Sequence, residues 1–374
     1  MFSRIEKYLK ERVDDIVFIH LKDDKSLQVK DSILDSTVPL PIPLKEVVSR
    51  VKEEEQDNEI SILKIIQGMV YIIGIDSEFK YNETYKKFLT TFDKDIFKFV
   101  LEQAIKLTET GHKVEALICF KACCYIKRND LDSLYNYARC SEELAKEWSG
   151  ESVKDFEDEA VEVFENLVEI HPDFPLSYYH LGFHYVNRKF YKKAEVTWDK
   201  CLELGVDENK EMEILNKLSE ISYKIQYEEG YNLVLSGRPQ EGLEKLLPLE
   251  EKYPEWWNLQ FFIGLSYRYI MDFEEALKYF LKAHRIKPSQ TDILNEIGLC
   301  NISLGRTMEA IKYFKRALNI KNEDPEILCN LGIAYIEDGN IELANKYVSK
   351  SLEINPDDEI TNAWMKKIKM MSSQ

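Results

Sequence analysis

Few residues in this sequence stand at spacings that could do chemistry. His180 and His184 lie four apart on one predicted helix, the spacing that lets two imidazoles share a metal ion. No third ligand is recognisable beside them, so the reading is two polar residues on a helix surface. Cys119, Cys123 and Cys124 also share a helix, but Cys123 falls at a small packing position, so core filling is expected rather than metal or redox work. The sequence contains no glycine-rich phosphate loop, no G-x-S-x-G elbow and no H-E-x-x-H pair. It therefore predicts no catalytic residue, no metal and no cofactor, and a chain that is not an enzyme.

Composition narrows the partners. Lys and Arg number 50 against 67 Asp and Glu, a net charge of −17, which repels phosphate backbones and argues against nucleic acid. The first fifteen residues lack the apolar core and cleavage site of a signal peptide. No apolar run reaches the roughly 18 residues that a membrane helix needs. The expectation is a cytoplasmic chain without membrane insertion, with its seven cysteines kept as reduced thiols.

The elements that position everything else are set by a period. In Pro325 to Asp358, Leu328, Leu331, Gly332 and Tyr335 form one helical stripe, and Asp338-Gly339-Asn340 breaks it. A second helix follows with Ala344, Val348 and Ser351, closed by Pro356. Thirty-four residues upstream, Leu294, Ile297, Gly298, Ala310, Phe314 and Ala317 occupy the same places. Another step back gives Ile263, Gly264, Tyr267, Ala276, Phe280, Ala283 and Pro288, and one more gives Gly230, Leu233, Gly242, Leu246 and Pro254. With this pattern the chain resembles the tetratricopeptide repeat family. The resemblance implies an all-α, right-handed solenoid of antiparallel helix pairs, here with a small N-terminal α+β module.

Read in order, residues 1–56 form that module. The β-prone runs Asp15 to Leu21 and Ser26 to Lys30 predict a hairpin through Lys22-Asp-Asp-Lys25. The run Val38 to Pro43, with alternating prolines, predicts an extended connector, the alternative being a ligand for a proline-reading domain. An amphipathic helix follows from Leu44 to Glu55 through Val47, Val48 and Val51. Residues 57–96 read as a helical connector or repeat-like hairpin, whose apolar first helix must be covered on several sides. Seven repeats are expected at 97–130, 131–174, 175–208, 223–256, 257–290, 291–324 and 325–358. The second holds ten extra residues around Trp148. The insert 209–222 lacks Gly and Pro, so Glu208 to Leu235 is expected as one helix whose first half projects as a partner ledge or homodimer contact. Residues 359–374 supply the C-terminal capping helix.

In the resembled family the first helices line a concave groove. The resemblance places Tyr135, Tyr179, Tyr227 and Phe261 at the fifth position of their repeats, and Arg139, Phe183, Tyr231 and Leu265 at the ninth, all facing that groove. These rings are either anchors for a peptide or core residues packed by the solenoid itself. The functional expectation is a non-enzymatic protein interaction scaffold or adaptor that binds a protein or peptide segment. The alternatives are a regulatory sensor of a short signalling peptide and, lowest, an enzyme with its chemistry in the N-terminal module.

Overall fold

The computed structural model describes residues 4–22, 25–29, 32–52 and 61–372. Asp23, Asp24, Lys30 and the far end of the expected helix at Glu53 to Glu55 lie outside them, as do the expected module boundary at residue 56 and the side chain of Val51. The chain divides into two units, Met1–Ile214 and Leu215–Gln374. Each stacks antiparallel helix pairs in chain order, which is the solenoid expected from the period; the first unit also carries the small strand-containing module.

The first unit begins with α1 (Glu6–Lys10), a single 3-10 segment (Glu11–Asp15) and four short strands, β1 (Ile16–Ile19), β2 (Ser26–Val29), β3 (Ser32–Asp35) and β4 (Leu40–Pro43). Only β1 and β2 fall on the two runs expected as strands, and they do not pair with each other as the expected hairpin; β3 was not foreseen, and β4 lies in the run expected as a connector. β2 makes its hairpin with β3, and β1 pairs antiparallel with β4, Ile16 opposite Pro43 and Ile19 opposite Leu40. The proline run is therefore a strand of the module, neither a bare connector nor a free ligand segment. Alternation explains it: along a strand, Leu40 and Ile42 aim their N–H groups at one edge, and the prolines lack theirs on the other. A two-stranded sheet has no ladder on that other edge, and Leu40 and Ile42 are themselves buried.

Then come α2 (Leu44–Lys52), α3 (Ile62–Ile75), α4 (Asn82–Phe92), α5 (Ile96–Glu109) and α6 (Lys113–Ile126), followed by α7 (Leu131–Glu147), α8 (Glu151–Ile170), α9 (Pro175–Asn187) and α10 (Tyr191–Leu204). The nearly all-apolar α3 is covered as its composition demands. Its Gly68 lies against the backbone of Pro41 in β4, and its Gly74 against the backbone of Ile118 in α6. A Cβ at either glycine would stand 2.1 Å from a carbonyl oxygen.

The ten extra residues of the second repeat lengthen α7 and α8 and present the surface that receives the N-terminus. Tyr8 of α1 lies edge-on to Trp148 and stacks on Phe156, and its hydroxyl donates to Asp155 at 2.7 Å. Beneath, Glu6 accepts from the Lys121 ammonium at 2.6 Å and from the Ser77 hydroxyl at 2.7 Å, with Glu6 and Lys121 both buried.

Helix α11 (Glu208–Leu235) runs unbroken for 28 residues, and the unit boundary falls inside it. Its first half is not a free arm: Ile214 and Ile221 are fully buried, while Met212 and Leu215 are exposed. The second unit continues with α12 (Pro239–Glu250), α13 (Trp257–Tyr269), α14 (Phe273–Ile286), α15 (Thr291–Ser303), α16 (Thr307–Ile320), α17 (Pro325–Glu337), α18 (Ile341–Ile354) and α19 (Glu359–Met371). Asp272, Asp324, Asn340 and Asp358 cap helix starts by accepting from backbone N–H groups of the first turn. Gly264, Gly298 and Gly332 sit where a Cβ would meet Phe280, Phe314 and Val348 at 2.9, 2.4 and 2.5 Å, the close approach that fixes each hairpin.

The turn inside each 34-residue hairpin needs one residue in the left-handed region. Gly111, Gly237, Gly305 and Gly339 fill that place in four repeats. Lys189 and Met271 fill it in two others, at φ 64° and 66°.

All seven cysteines are buried free thiols, and burial pushes Cys119 up to about 12. Among the described residues no helix is long and apolar enough to cross a membrane.

Candidate peptide-binding face

The eight residues expected along one groove do not share one environment. In the first unit Tyr135, Arg139, Tyr179 and Phe183 are half-buried and largely occupied by their own chain. The Tyr179 hydroxyl donates to Glu213 at 2.6 Å, and the Lys210 ammonium stands 5.9 Å from the Tyr179 ring centre. The first turns of α11 thus lie on this aromatic place. Phe183 meets Trp198 edge-on, Tyr135 meets Phe174, and Arg139 is held by Glu143 at 3.1 Å.

His180 and His184 are better placed than a bare surface pair. Glu142 of α7 stands between them, one carboxylate oxygen 2.9 Å from His180 Nδ1 and the other 2.5 Å from His184 Nε2. Burial would raise the Glu142 carboxyl, but the two imidazoles beside it outweigh that and hold it at about 2. His180 also stacks on Phe164 at 4.8 Å. Each carboxylate oxygen faces one imidazole nitrogen, and among the described residues no group of three His, Cys, Asp or Glu is arranged to hold a metal. The trio is a strut joining α7 to α9.

The second unit offers a different face. Tyr231 of α11 and Phe262 of α13 stack at 5.3 Å across neighbouring first helices, both half-buried. Tyr227 extends the patch, 5.3 Å from Tyr231 and 4.3 Å from Trp256. Phe261 turns instead towards Phe280 of its own hairpin, and Leu265 is a core residue at 6% exposure. Phe262 was not among the residues expected from sequence. The doublet Phe261-Phe262 is the signal that could have found it, because one step along a helix turns a side chain about 100° and sends the two rings to different neighbours.

Beyond the rings the first-helix face turns polar. Arg268 of α13 reaches Glu296 of α15 at 2.5 Å; Asn295 donates to Glu326 of α17 at 3.0 Å and accepts from Asn330 at 3.0 Å. Burial pushes the Glu296 carboxyl up to about 7; Arg268 opposes this, and the charges of Glu326 and Asp292 add to it. Glu296 thus feels two further carboxylates and one guanidinium.

A pH dependence follows from Glu296, with its sign fixed by that elevation. The folded chain holds the proton more tightly than an unfolded glutamate does. The resulting stabilisation is full below the unfolded value, 4.5, and is lost as pH rises through about 7. Between about pH 5.5 and about pH 8 the loss should reach about 2 kcal/mol. Denaturant unfolding of the parent and of Glu296→Gln, which mimics the protonated acid, checks it: the variant should lack this part of the slope.

Comparison with known proteins adds two matches. Residues 325–358 match the tetratricopeptide repeat, and residues 271–331 match the family described as regulator of microtubule dynamics protein 1-3. No curated protein is similar enough to the chain to count as a match. Among solved structures, the Cut9–Hcn1 hetero-tetramer of APC/C is 13% identical over 87% of this chain and 66% of that one, with a TM-score of 0.42. The MamA protein is 19% identical over 49% of this chain and 92% of its own, with a TM-score of 0.37. YrrB, a TPR protein with an unusual peptide-binding site, is 16% identical over 66% and 97%, with a TM-score of 0.29. None of the three carries a ligand or a site over to this chain.

Proposed function

We propose that this chain, a protein of tetratricopeptide repeats, is a non-enzymatic scaffold or adaptor that holds a protein segment on the first-helix face of its second unit. The observation that carries this reading is the stacked pair Tyr231 and Phe262, half-buried rings on neighbouring first helices with the acidic group Asp292, Glu296 and Glu326 further along the same helix layer. Such rings give large contact area at small entropy cost, and a carboxylate excess favours cations. The segment that fits places an apolar side chain on Tyr231 and Phe262 and a Lys or Arg towards Asp292 and Glu326. Tyr227 supports that seat; Phe261 and Leu265 act by holding the hairpin. In the first unit, Tyr135, Arg139, Tyr179 and Phe183 keep an interior role beside α11. Any homodimer through the helical insert would use its exposed Met212 and Leu215, and sedimentation of a Leu215→Lys variant tests that contact.

Selection of random peptides on the full chain tests the principal reading. The selected sequences should pair an apolar residue with a basic one. Tyr231→Ala and Phe262→Ala should each weaken binding by about 1–2 kcal/mol, roughly tenfold, without a matching fall in melting temperature. Equal binding by parent and both variants would reject the face.

A further inference from the structure

We propose that the cavity bounded by α3, α5 and α6 is a binding site for a small molecule that joins an apolar body to one basic nitrogen. This site lies in the first unit and is independent of the peptide-binding reading. Its origin is in the packing. Gly74 draws α3 onto α6 and Gly68 draws it onto β4, while α5 packs separately on α6. The space left between α3 and α5 measures about 670 Å³, and Ile16 and Pro43 also line it. A pocket of roughly 300–1,000 Å³ is the size that encloses a small ligand.

Its walls are apolar, with Ile66 and Val70 from α3 and Ile96 and Val100 from α5. Leu63 and Phe99, also in its lining, are 62% and 53% exposed, a large apolar area to leave in water. The charged groups at the rim are mostly taken up by one another, but three polar groups of the lining are not. The Tyr71 hydroxyl, the Gln103 amide and the Glu115 carboxylate have no partner among the described residues. The Glu115 charge reaches both Tyr71 and Cys119, raising each phenol or thiol further than burial alone does, so these three groups share one end of the lining.

Charge decides the ligand class. Among the cations of the lining, Arg12 is held by Asp15 at 3.6 Å, Lys64 by Glu46 at 3.1 Å, and Lys45 is also partnered. Glu115 has no such counter-charge. A ligand amine would supply it, with Tyr71 and Gln103 able to accept further N–H groups. An anionic amphiphile would place its charge against an unpaired carboxylate in a mostly apolar pocket, where repulsion is weakly screened.

Calorimetric titration of the full chain with phenylbutylamine, phenylbutanol and phenylbutanoate tests this. The amine should bind at least about tenfold more tightly than the alcohol, and the carboxylate most weakly. Glu115→Gln should remove the preference for the amine and leave the affinity for the alcohol unchanged. Gln103→Trp, which fills the cavity, should abolish binding of both while the chain still unfolds cooperatively. If no probe binds the parent chain, or if the alcohol binds Gln103→Trp as tightly as the parent, the cavity is not the site. If amine and alcohol bind equally, or if Glu115→Gln keeps the preference, the assignment to a basic nitrogen fails.

Discussion

Gly74→Ala should lower the stability of the chain by about 3 kcal/mol or more, the upper end of overpacking costs, although the same substitution normally favours a helix. On propensity alone, alanine at Gly74, in the last turn of α3, would gain a fraction of the roughly 1 kcal/mol that it gains in a helix interior. The opposite sign is expected because the new Cβ would stand 2.1 Å from the Ile118 carbonyl oxygen, 2.8 Å from its carbonyl carbon and 2.7 Å from its side chain. Two of those three atoms are backbone of a buried helix, so relief requires moving α3 away from α6 rather than turning a rotamer. Gly298→Leu, against the Phe314 ring, should also destabilise, but an aromatic side chain can yield where a carbonyl cannot. Urea unfolding of Gly74→Ala decides the matter; parental or higher stability would show that α3 and α6 do not depend on this approach.

Lys121→Met should cost about 3–5 kcal/mol, the range for breaking a buried ion pair from one side. It leaves the Glu6 carboxylate buried with the Ser77 hydroxyl and the half-exposed Lys10 as its remaining help. Burial alone would raise the Glu6 carboxyl; the Lys121 and Ser77 hydrogen bonds reverse that and keep it below the usual range. Combining Glu6→Gln with Lys121→Met should recover most of the loss, since no uncompensated charge then stays inside. Unfolding of the two single variants and the double variant measures the coupling. Additive losses would mean that the pair is not a unit. Because Glu6 sits on α1, the single variant should also expose the N-terminus to proteolysis before the repeats unfold.

The repeats were legible because their signals are local and repeated. Gly264, Gly298 and Gly332 each mark a place where the next helix of the same hairpin touches, so a fixed offset in sequence is a fixed contact in space. The helix Glu208–Leu235 was equally readable, since nothing in it breaks a helix. Legibility failed where partners are distant in the chain. Strand propensity located β1, and the proline run was read only as an extended connector; their pairing goes with α3 and its Gly68 against Pro41, which no local pattern states. The carboxylate between His180 and His184 comes from Glu142, almost forty residues earlier and on another helix. The bond that occupies the Tyr179 hydroxyl depends on where α11 sends Glu213, and the insert was read as projecting from its extra length without breakers, which does not tell that Ile214 and Ile221 are buried.

The hairpin turns carry a consequence for durability. Four of them meet their left-handed requirement with glycine, whereas Lys189 and Met271 hold L side chains in a conformation that costs about 1–2 kcal/mol per residue. Both residues are exposed, Met271 at 76%, and neither belongs to the aromatic face, the amine pocket or a buried ion pair. These two joints are therefore an unused reserve of heat resistance, positions at which the chain can be hardened at a distance from the aromatic face and the cavity.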